Sequence, residues 1–140
     1  MGEFPNHVKN MFLTQEKNDA DAMAIRFFIR GKPWVVTIDE SMLFMYSNPR
    51  LKFAQPANDE KAMWGAIMEK AWAKMKGNYL IAEGGLVENG LHYLVGIPVF
   101  RYYTSEISDT TAAASLHDTL VAADAANYLM GFGTAGSGND

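Results

Sequence analysis

The sequence predicts one domain of the α+β class, and three observations carry that prediction. The chain has 140 residues, of which 49% are apolar, and this is enough to bury a core of its own. Residues 22–38 are rich in β-branched and aromatic side chains. Farther along, apolar residues recur at intervals of three and four, as they do on one face of a helix. Because strands and helices are grouped rather than alternating, an α+β fold is favoured over a parallel α/β sheet.

The first predicted element is a β-hairpin. Residues 22–29 form an aliphatic and aromatic run, the segment 30–33 (Arg-Gly-Lys-Pro) interrupts it, and Trp34–Ile38 adds β-branched residues. The segment 39–57 contains two prolines, each of which removes a donor and biases the preceding residue away from helix. We therefore expect an irregular connection there, with one short strand at Leu51–Phe53.

The clearest predicted helix begins near Asn58 or Asp59, since either side chain can accept the free amide protons of a first turn. Glu60 adds negative charge at the positive end of the helix, and Gly77 ends it. The apolar residues of this helix predict one buried stripe, formed by Trp64, Ile67, Met68, Ala71, Trp72 and Met75.

The remaining elements are shorter or less regular. A short helix is expected over Val87–Val95, before Gly96, and an extended segment over 97–103. A further helix over 109–124 is expected to be capped by Asp109 or Thr110 and to be apolar at Leu116, Leu120, Val121 and Ala123. A final strand is expected at 128–132, followed by a glycine-rich loop.

The sequence contains no cysteine, and this removes disulfides, thiolate metal ligands and thiol nucleophiles together. The histidines, His7, His92 and His117, have no metal-like spacing, so packing or surface roles are favoured over a zinc site. No cofactor is predicted from these residues.

Other patterns have structural explanations that we prefer to chemical ones. Glycines near the end of the chain, at Gly131-x-Gly133 and Gly136-x-Gly138, lack the lysine and the following helix of a phosphate loop. The acidic pairs Asp39-Glu40 and Asp59-Glu60 could be paired acids or calcium ligands, but adjacent carboxylates at element ends are usually solvated or capping. The methionines and tryptophans fit core packing better than a promiscuous binding groove.

Charge and hydropathy restrict the partners and the location. The formal net charge is −4 with both signs interspersed, which does not favour nucleic acid. No apolar run approaches the ~20 residues that a bilayer requires, and the first ten residues do not resemble a signal peptide. We therefore expect a soluble protein of the cytosol or nucleus with no membrane span.

Three segments together resemble the protease core of the calpain family. Residues 31–40 read GKPWVVTIDE, residues 63–79 read MWGAIMEKAWAKMKGNY, and residues 83–85 read EGG. The family has a strand of the form G-x-W-x-V-x-V-D-D, then a helix F/M-W-x-A-L-L-E-K-A-Y-A-K-x-x-G-x-Y, then S-G-G. The resemblance covers residues 5–140 and is strongest over 25–100.

This resemblance implies a papain-like cysteine-protease fold, of which residues 1–140 would be a single partial domain. The family's cysteine lies in a Q-G-x-x-x-N/D-C-W helix before the hairpin, its histidine in a later G-H-A-Y/F strand, and its asparagine in N-P-W. None of these motifs is present here. The chain is therefore expected to begin after the cysteine helix, to end before the histidine strand, and to hold no catalytic residue.

The resemblance does imply substrate-binding residues. Gly84 and Gly85 match S-G-G, whose second glycine lets an extended substrate backbone approach, while Glu83 replaces the serine. A calcium-binding glutamate of the family, two residues before the helix tryptophan, corresponds to Ala62, so the matching Ca²⁺ ligand is missing unless Asp59 or Glu60 substitutes.

Two functions follow as hypotheses. One is a segment of an intracellular, calpain-like cysteine endopeptidase that contributes core packing and the wall of the cleft for protein or peptide substrates. The other is a non-catalytic, calpain-like component of a larger assembly, such as the cytoskeleton, in which neighbouring protein chains are the partners. Both imply a cytoplasmic protein.

Overall fold

A computed structural model describes residues 4–16, 18–56 and 62–132. Within these ranges the chain is α+β, with a hairpin sheet and several helices, as predicted. The elements in chain order are α1 (Pro5–Met11), β1 (Ala22–Ile29), β2 (Lys32–Asp39), β3 (Phe44–Met45), β4 (Asn48–Leu51), α2 (Trp64–Lys76), α3 (Tyr79–Ala82), α4 (Val87–Val95), a 3-10 turn (Thr104–Glu106) and α5 (Thr110–Ala125).

The predicted hairpin is confirmed. Strands β1 and β2 pair antiparallel from Ala22 opposite Asp39 to Ile29 opposite Lys32. The two turn residues, Arg30 and Gly31, both have positive φ angles, 50° and 75°. This is the handedness that fits a two-residue turn to the right-handed twist of its strands.

The core lies between one face of this hairpin and helix α2. Alternate strand residues point to that face, and they provide the two largest fully buried side chains, Phe27 and Ile25. From α2, Met68 and Ala71 complete the cluster. Helix α1 closes one end with Val8 and Met11. The core is therefore built from three elements that are distant in sequence.

Helix α2 begins later than predicted, but most of its predicted stripe faces the core, with Met68 and Ala71 buried in the core cluster and Ile67, Trp72 and Met75 packed against it. It begins at Trp64, after a non-helical Met63, so the expected start near Asn58 or Asp59 is wrong, and those two residues lie outside the described ranges. Trp64 is 41% exposed, whereas the buried positions are Ala66, Met68, Ala71 and Ala73. Of these four, Met68 and Ala71 belong to the core cluster shared with the hairpin. Gly77 ends the helix as predicted, at φ 116°.

Two lysines of α2 bind the outer edge of β2. Lys74 donates from Nζ to the carbonyl oxygen of Thr37 at 2.6 Å, and Lys70 donates to that of Asp39 at 3.0 Å. The lysines are four residues apart and therefore lie on the same side of the helix. They occupy carbonyl groups that an exposed strand edge would otherwise offer to another chain.

The later helices are confirmed, but two expected extended segments differ. Helix α4 ends at Gly96 in the left-handed conformation, and Asp109 caps α5 by accepting from the amide of Ala112 at 2.8 Å. The predicted strand at 128–132 does not form, because no described strand lies beside it to pair with, and the extended run 97–103 is likewise unpaired. The short strand expected at 51–53 lies instead at Asn48–Leu51, paired with β3.

Helix α5 is regular but covered by little of the described chain. None of its residues is buried, and Leu120 and Val121 are 44% and 53% exposed. Its alanine-rich sequence favours helix without requiring a packing partner.

We predict that Gly96→Ala destabilises the fold by about 2–4 kcal/mol. Gly96 has φ +73°, and an added Cβ would lie 2.5 Å from the ring of Phe28. The change combines backbone strain with a clash against a strand residue. Urea denaturation followed by circular dichroism measures the effect.

Gly90→Ala is the matched control for that variant. Gly90 is inside α4, and no atom lies within 4 Å of an added Cβ. This substitution should stabilise the helix by about 0.5–1 kcal/mol. Equal unfolding midpoints for the two variants would contradict the proposed contact between Gly96 and Phe28.

Candidate functional site

The predicted substrate-binding glycines lie between α3 and α4, and the preceding turns position them. At the end of α2, the amide of Gly77 donates to the carbonyl of Ala73 at 2.9 Å. The next residue, Asn78, caps α3 by accepting from the amide of Ile81 at 2.8 Å. Because both glycine and asparagine suit such turns, the chain reverses into α3 immediately after α2.

Helix α3 is anchored by an aromatic stack. The ring of Tyr79 lies parallel to that of Phe53, with centroids 4.5 Å apart and planes 4° apart. The Phe53 segment is in turn held to α2, because the Glu69 carboxylate accepts from the amide of Ala54 at 2.7 Å. Burial, and secondly the negative charge of Glu69, raise the pKa of Tyr79. Tyr79 is therefore neutral at physiological pH and acts as a packing residue.

Gly84 and Gly85 present an open backbone. Their φ angles are +80° and +127°, and no atom lies within 4 Å of a Cβ added at either position. Within the described part of the chain, neither glycine takes part in a hydrogen bond. Their amide and carbonyl groups are thus accessible to a ligand, and side chains are disfavoured at both positions by the backbone conformation.

The glycines form one side of an open cleft of about 360 Å³, which is within the usual range for ligand pockets. The end of α2 and the first half of α4 also contribute lining residues. The cleft is lined by Trp72, Lys76, Ile81, Gly84, Gly85, Leu86, Asn89 and Gly90.

The sequence predicted a substrate-binding role for the two glycines, assigned Trp72 to the buried stripe and gave no reason to place Lys76 in the cleft. In the structure Trp72 packs against the core and also lines the cleft. Its ring contacts Phe27 of the core at a centroid distance of 6.0 Å and Tyr93 of α4 at 5.2 Å, and it also lines the cleft. The Lys76 ammonium lies 5.0 Å from the Trp72 ring and 4.8 Å from the Tyr93 ring. The four-residue spacing of Trp72 and Lys76 is the signal that could have paired them.

The acidic pair Asp39-Glu40 does not join the cleft. Asp39 accepts from Lys70 at 2.5 Å and from the amide of Ser41 at 2.8 Å. The hydrogen bonds from Lys70 and then Ser41 hold the pKa of Asp39 well below its usual range. The ion pair of Asp39 with Lys70 therefore links β2 to α2.

Residues considered for metal binding are apart from one another. Ala62 has only a methyl side chain, and Asp59 and Glu60 lie outside the described residues. His7, His92 and His117 belong to α1, α4 and α5, and His92 is hydrogen-bonded to the carbonyl of Ile97 at 3.0 Å. Over residues 4–16, 18–56 and 62–132, no group of three or more histidine or acidic side chains could hold a metal ion. In the same ranges, no helix has both the length and the apolarity to cross a bilayer.

Comparison with known proteins decides the family. Residues 2–139 match the family described as calpain family cysteine protease. The chain belongs to the calpain family. This confirms the family resemblance predicted from the sequence.

The similar curated proteins are plant calpains. The calpain-family chain is 33% identical over 91 residues to calpain-type cysteine protease DEK1 of Zea mays, and 33% identical over 89 residues to calpain-type cysteine protease ADL1 of Oryza sativa subsp. japonica. It is 31% identical over 91 residues to the DEK1 protein of Arabidopsis thaliana. These matches cover 64–65% of the chain and 4% of each relative. The chain thus spans a small part of the relatives that it matches.

The ion pair between Asp39 and Lys70 predicts a pH-dependent contribution to stability. Because the pKa of Asp39 is lowered on folding from 3.8, its contribution is complete above that pH and is lost as the pH falls further. Lys70→Met should therefore lower the melting temperature at pH 7, and by less at pH 2–3 than at pH 7, as measured by calorimetry. A part of the effect remains in acid, since Lys70 also binds two backbone carbonyls.

Lys9→Met, which removes an exposed lysine of α1, is the control for the loss of one positive charge. A destabilisation by Lys70→Met that is equal at pH 7 and at pH 2–3 would show that Asp39 does not contribute through its charge.

Proposed function

We propose that this chain forms part of the substrate-cleft wall in a papain-like, calpain-type cysteine endopeptidase core. The observation that carries the proposal is the open backbone of Gly84 and Gly85, which faces the cleft without hydrogen bonds to described residues. A polypeptide substrate in extended conformation pairs with such a backbone as an added strand does.

The arrangement suits a binding wall for three reasons. The absence of a Cβ at Gly84 and Gly85 lets a second backbone approach closely. Trp72, which lines the cleft, is held in place because its ring contacts both Phe27 and Tyr93. The turn that contains Gly84 and Gly85 follows directly on α3, which is anchored by the stack of Tyr79 on Phe53. Holding a peptide in one orientation is itself a large part of catalysis, because it removes the entropy cost of alignment from the chemical step.

The chemical step itself is assigned to other residues. A cysteine protease needs a thiolate that is activated by an imidazole, with a third group to orient the imidazole. The 140 residues contain no cysteine, so the nucleophile in this proposal comes from outside them. This chain's contribution is to bind and orient the peptide.

The cysteine-free sequence also favours a second function, in which the same cleft binds protein segments without cleaving them. In that case the calpain-type packing serves attachment within a larger assembly, such as the cytoskeleton. Both functions use the glycine wall, and they differ in whether a reactive thiol lies beside it.

We predict that Gly85→Ala weakens peptide binding about tenfold, because the φ of +127° is rarely adopted by residues with a side chain and the methyl group occupies the approach path. The measurement is fluorescence anisotropy of a labelled, extended hexapeptide with a central Leu-Gln, added to the full-length gene product. Gly65→Ala is the control, since Gly65 is in α2 outside the cleft lining and has open space around it. Unchanged binding in Gly85→Ala would refute the glycine wall.

A second experiment separates the protease from the non-catalytic function. A peptide probe with a thiol-reactive group should label the full-length gene product in the presence of calcium and a reductant, and pretreatment with iodoacetamide should prevent labelling. Peptide binding without labelling would support the non-catalytic function and overturn the protease assignment.

A further inference from the structure

We propose that the cleft selects peptides with an acidic side chain, which binds against the ammonium group of Lys76. The proposal rests on the proposed function of the cleft as a peptide-binding wall, and it adds the chemical class of the peptide. The observation behind it is the position of one lysine beside two aromatic rings, in the same cleft lining as Gly84 and Gly85.

The position of Lys76 is fixed by its neighbours. Its ammonium lies close to the rings of both Trp72 and Tyr93, at 5.0 and 4.8 Å from their centroids. The two rings meet edge to face at 73°, so they form two sides of a corner that holds the cation. The side chain is half-buried, unlike a lysine that extends freely into water. A ligand carboxylate therefore meets a cation that has already lost much of its conformational freedom.

Among the residues that the structure describes, Lys76 has no acidic partner. It is the charged member of the cleft lining, and no described carboxylate lies within ion-pairing distance of it. The nearby acidic residue of α4, Glu88, is paired with Arg101. Exposed Glu83 precedes the glycine pair but does not line the cleft. The cleft therefore presents a positive charge and contains no carboxylate of its own to repel an acidic ligand.

The remaining lining residues suit the rest of a glutamate or aspartate side chain. Trp72, Ile81 and Leu86 offer apolar surface to its methylene groups, and the Asn89 amide offers a further donor. The open backbone of Gly84 and Gly85 faces the peptide main chain. One residue of an extended peptide can thus use its backbone on the glycine side and its carboxylate on the lysine side.

The test compares two labelled hexapeptides that differ only in having a central Glu or Gln, using the full-length gene product and fluorescence anisotropy. The Glu peptide should bind about three- to tenfold more tightly at 50 mM salt. The preference should shrink in 0.5 M salt, because a partly exposed charge pair is screened. Lys76→Gln should abolish the preference while the affinity for the Gln peptide changes little.

Two further variants keep the result interpretable. Lys76→Arg retains the cation and should retain the preference, so a loss of preference confined to Lys76→Gln cannot be a folding defect. Lys9→Gln removes the same charge from α1 and should leave the preference unchanged.

The outcomes distinguish this inference from the function on which it rests. Equal affinity for the Glu and Gln peptides in the unsubstituted protein would overturn acidic selection while the peptide-binding wall remains. A preference that persists in Lys76→Gln would overturn the role of Lys76. Failure of both peptides to bind would refute the binding wall and acidic selection together.

Discussion

The close packing of α2 against the β1–β2 hairpin positions the rest of the described chain. Met68 and Ala71 share one buried cluster with the strand residues, and Lys70 and Lys74 bind the backbone at the edge of β2. The apolar contacts hold α2 by excluding water, and the two lysines hold it by hydrogen bonds to strand carbonyls. The direction in which α2 ends, and hence the place where the chain turns toward the cleft, follows from this contact.

The core and the cleft share a residue, and this links stability to binding. The Trp72 ring contacts Phe27 of the core, and the ammonium group of Lys76 lies 5.0 Å from the centroid of the same ring. A ligand in the cleft would therefore contact Trp72, which cannot move without disturbing the core. At Gly84 and Gly85, by contrast, the backbone has open space around it and makes no hydrogen bond with the described residues. A fixed aromatic side chain beside an accessible backbone can orient an extended peptide, and binding then costs little conformational entropy in the protein.

Family and chemistry are separate properties of this chain. The calpain family match extends over residues 2–139, while the sequence contains no cysteine. A fold positions groups, and the groups themselves determine the reaction. For these residues, the positioned groups are a backbone, two aromatic rings and an ammonium, and in our proposal these groups bind a peptide.

The sequence by itself determined the elements whose causes are local. The hairpin follows from β-branched runs around a glycine turn, the end of α2 from Gly77, and the cap of α5 from Asp109, because each depends on residues within a few positions. The family resemblance singled out the paired glycines, and their role in binding substrate stays a prediction. The apolar periodicity of α2 also predicted most of its buried face, whereas tertiary structure decided that Trp64, at the first turn of the helix, stays partly exposed. It likewise decided that 128–132 is not a strand, since a strand needs a partner, and that Lys76 meets both Trp72 and Tyr93, since one of those rings comes from another helix.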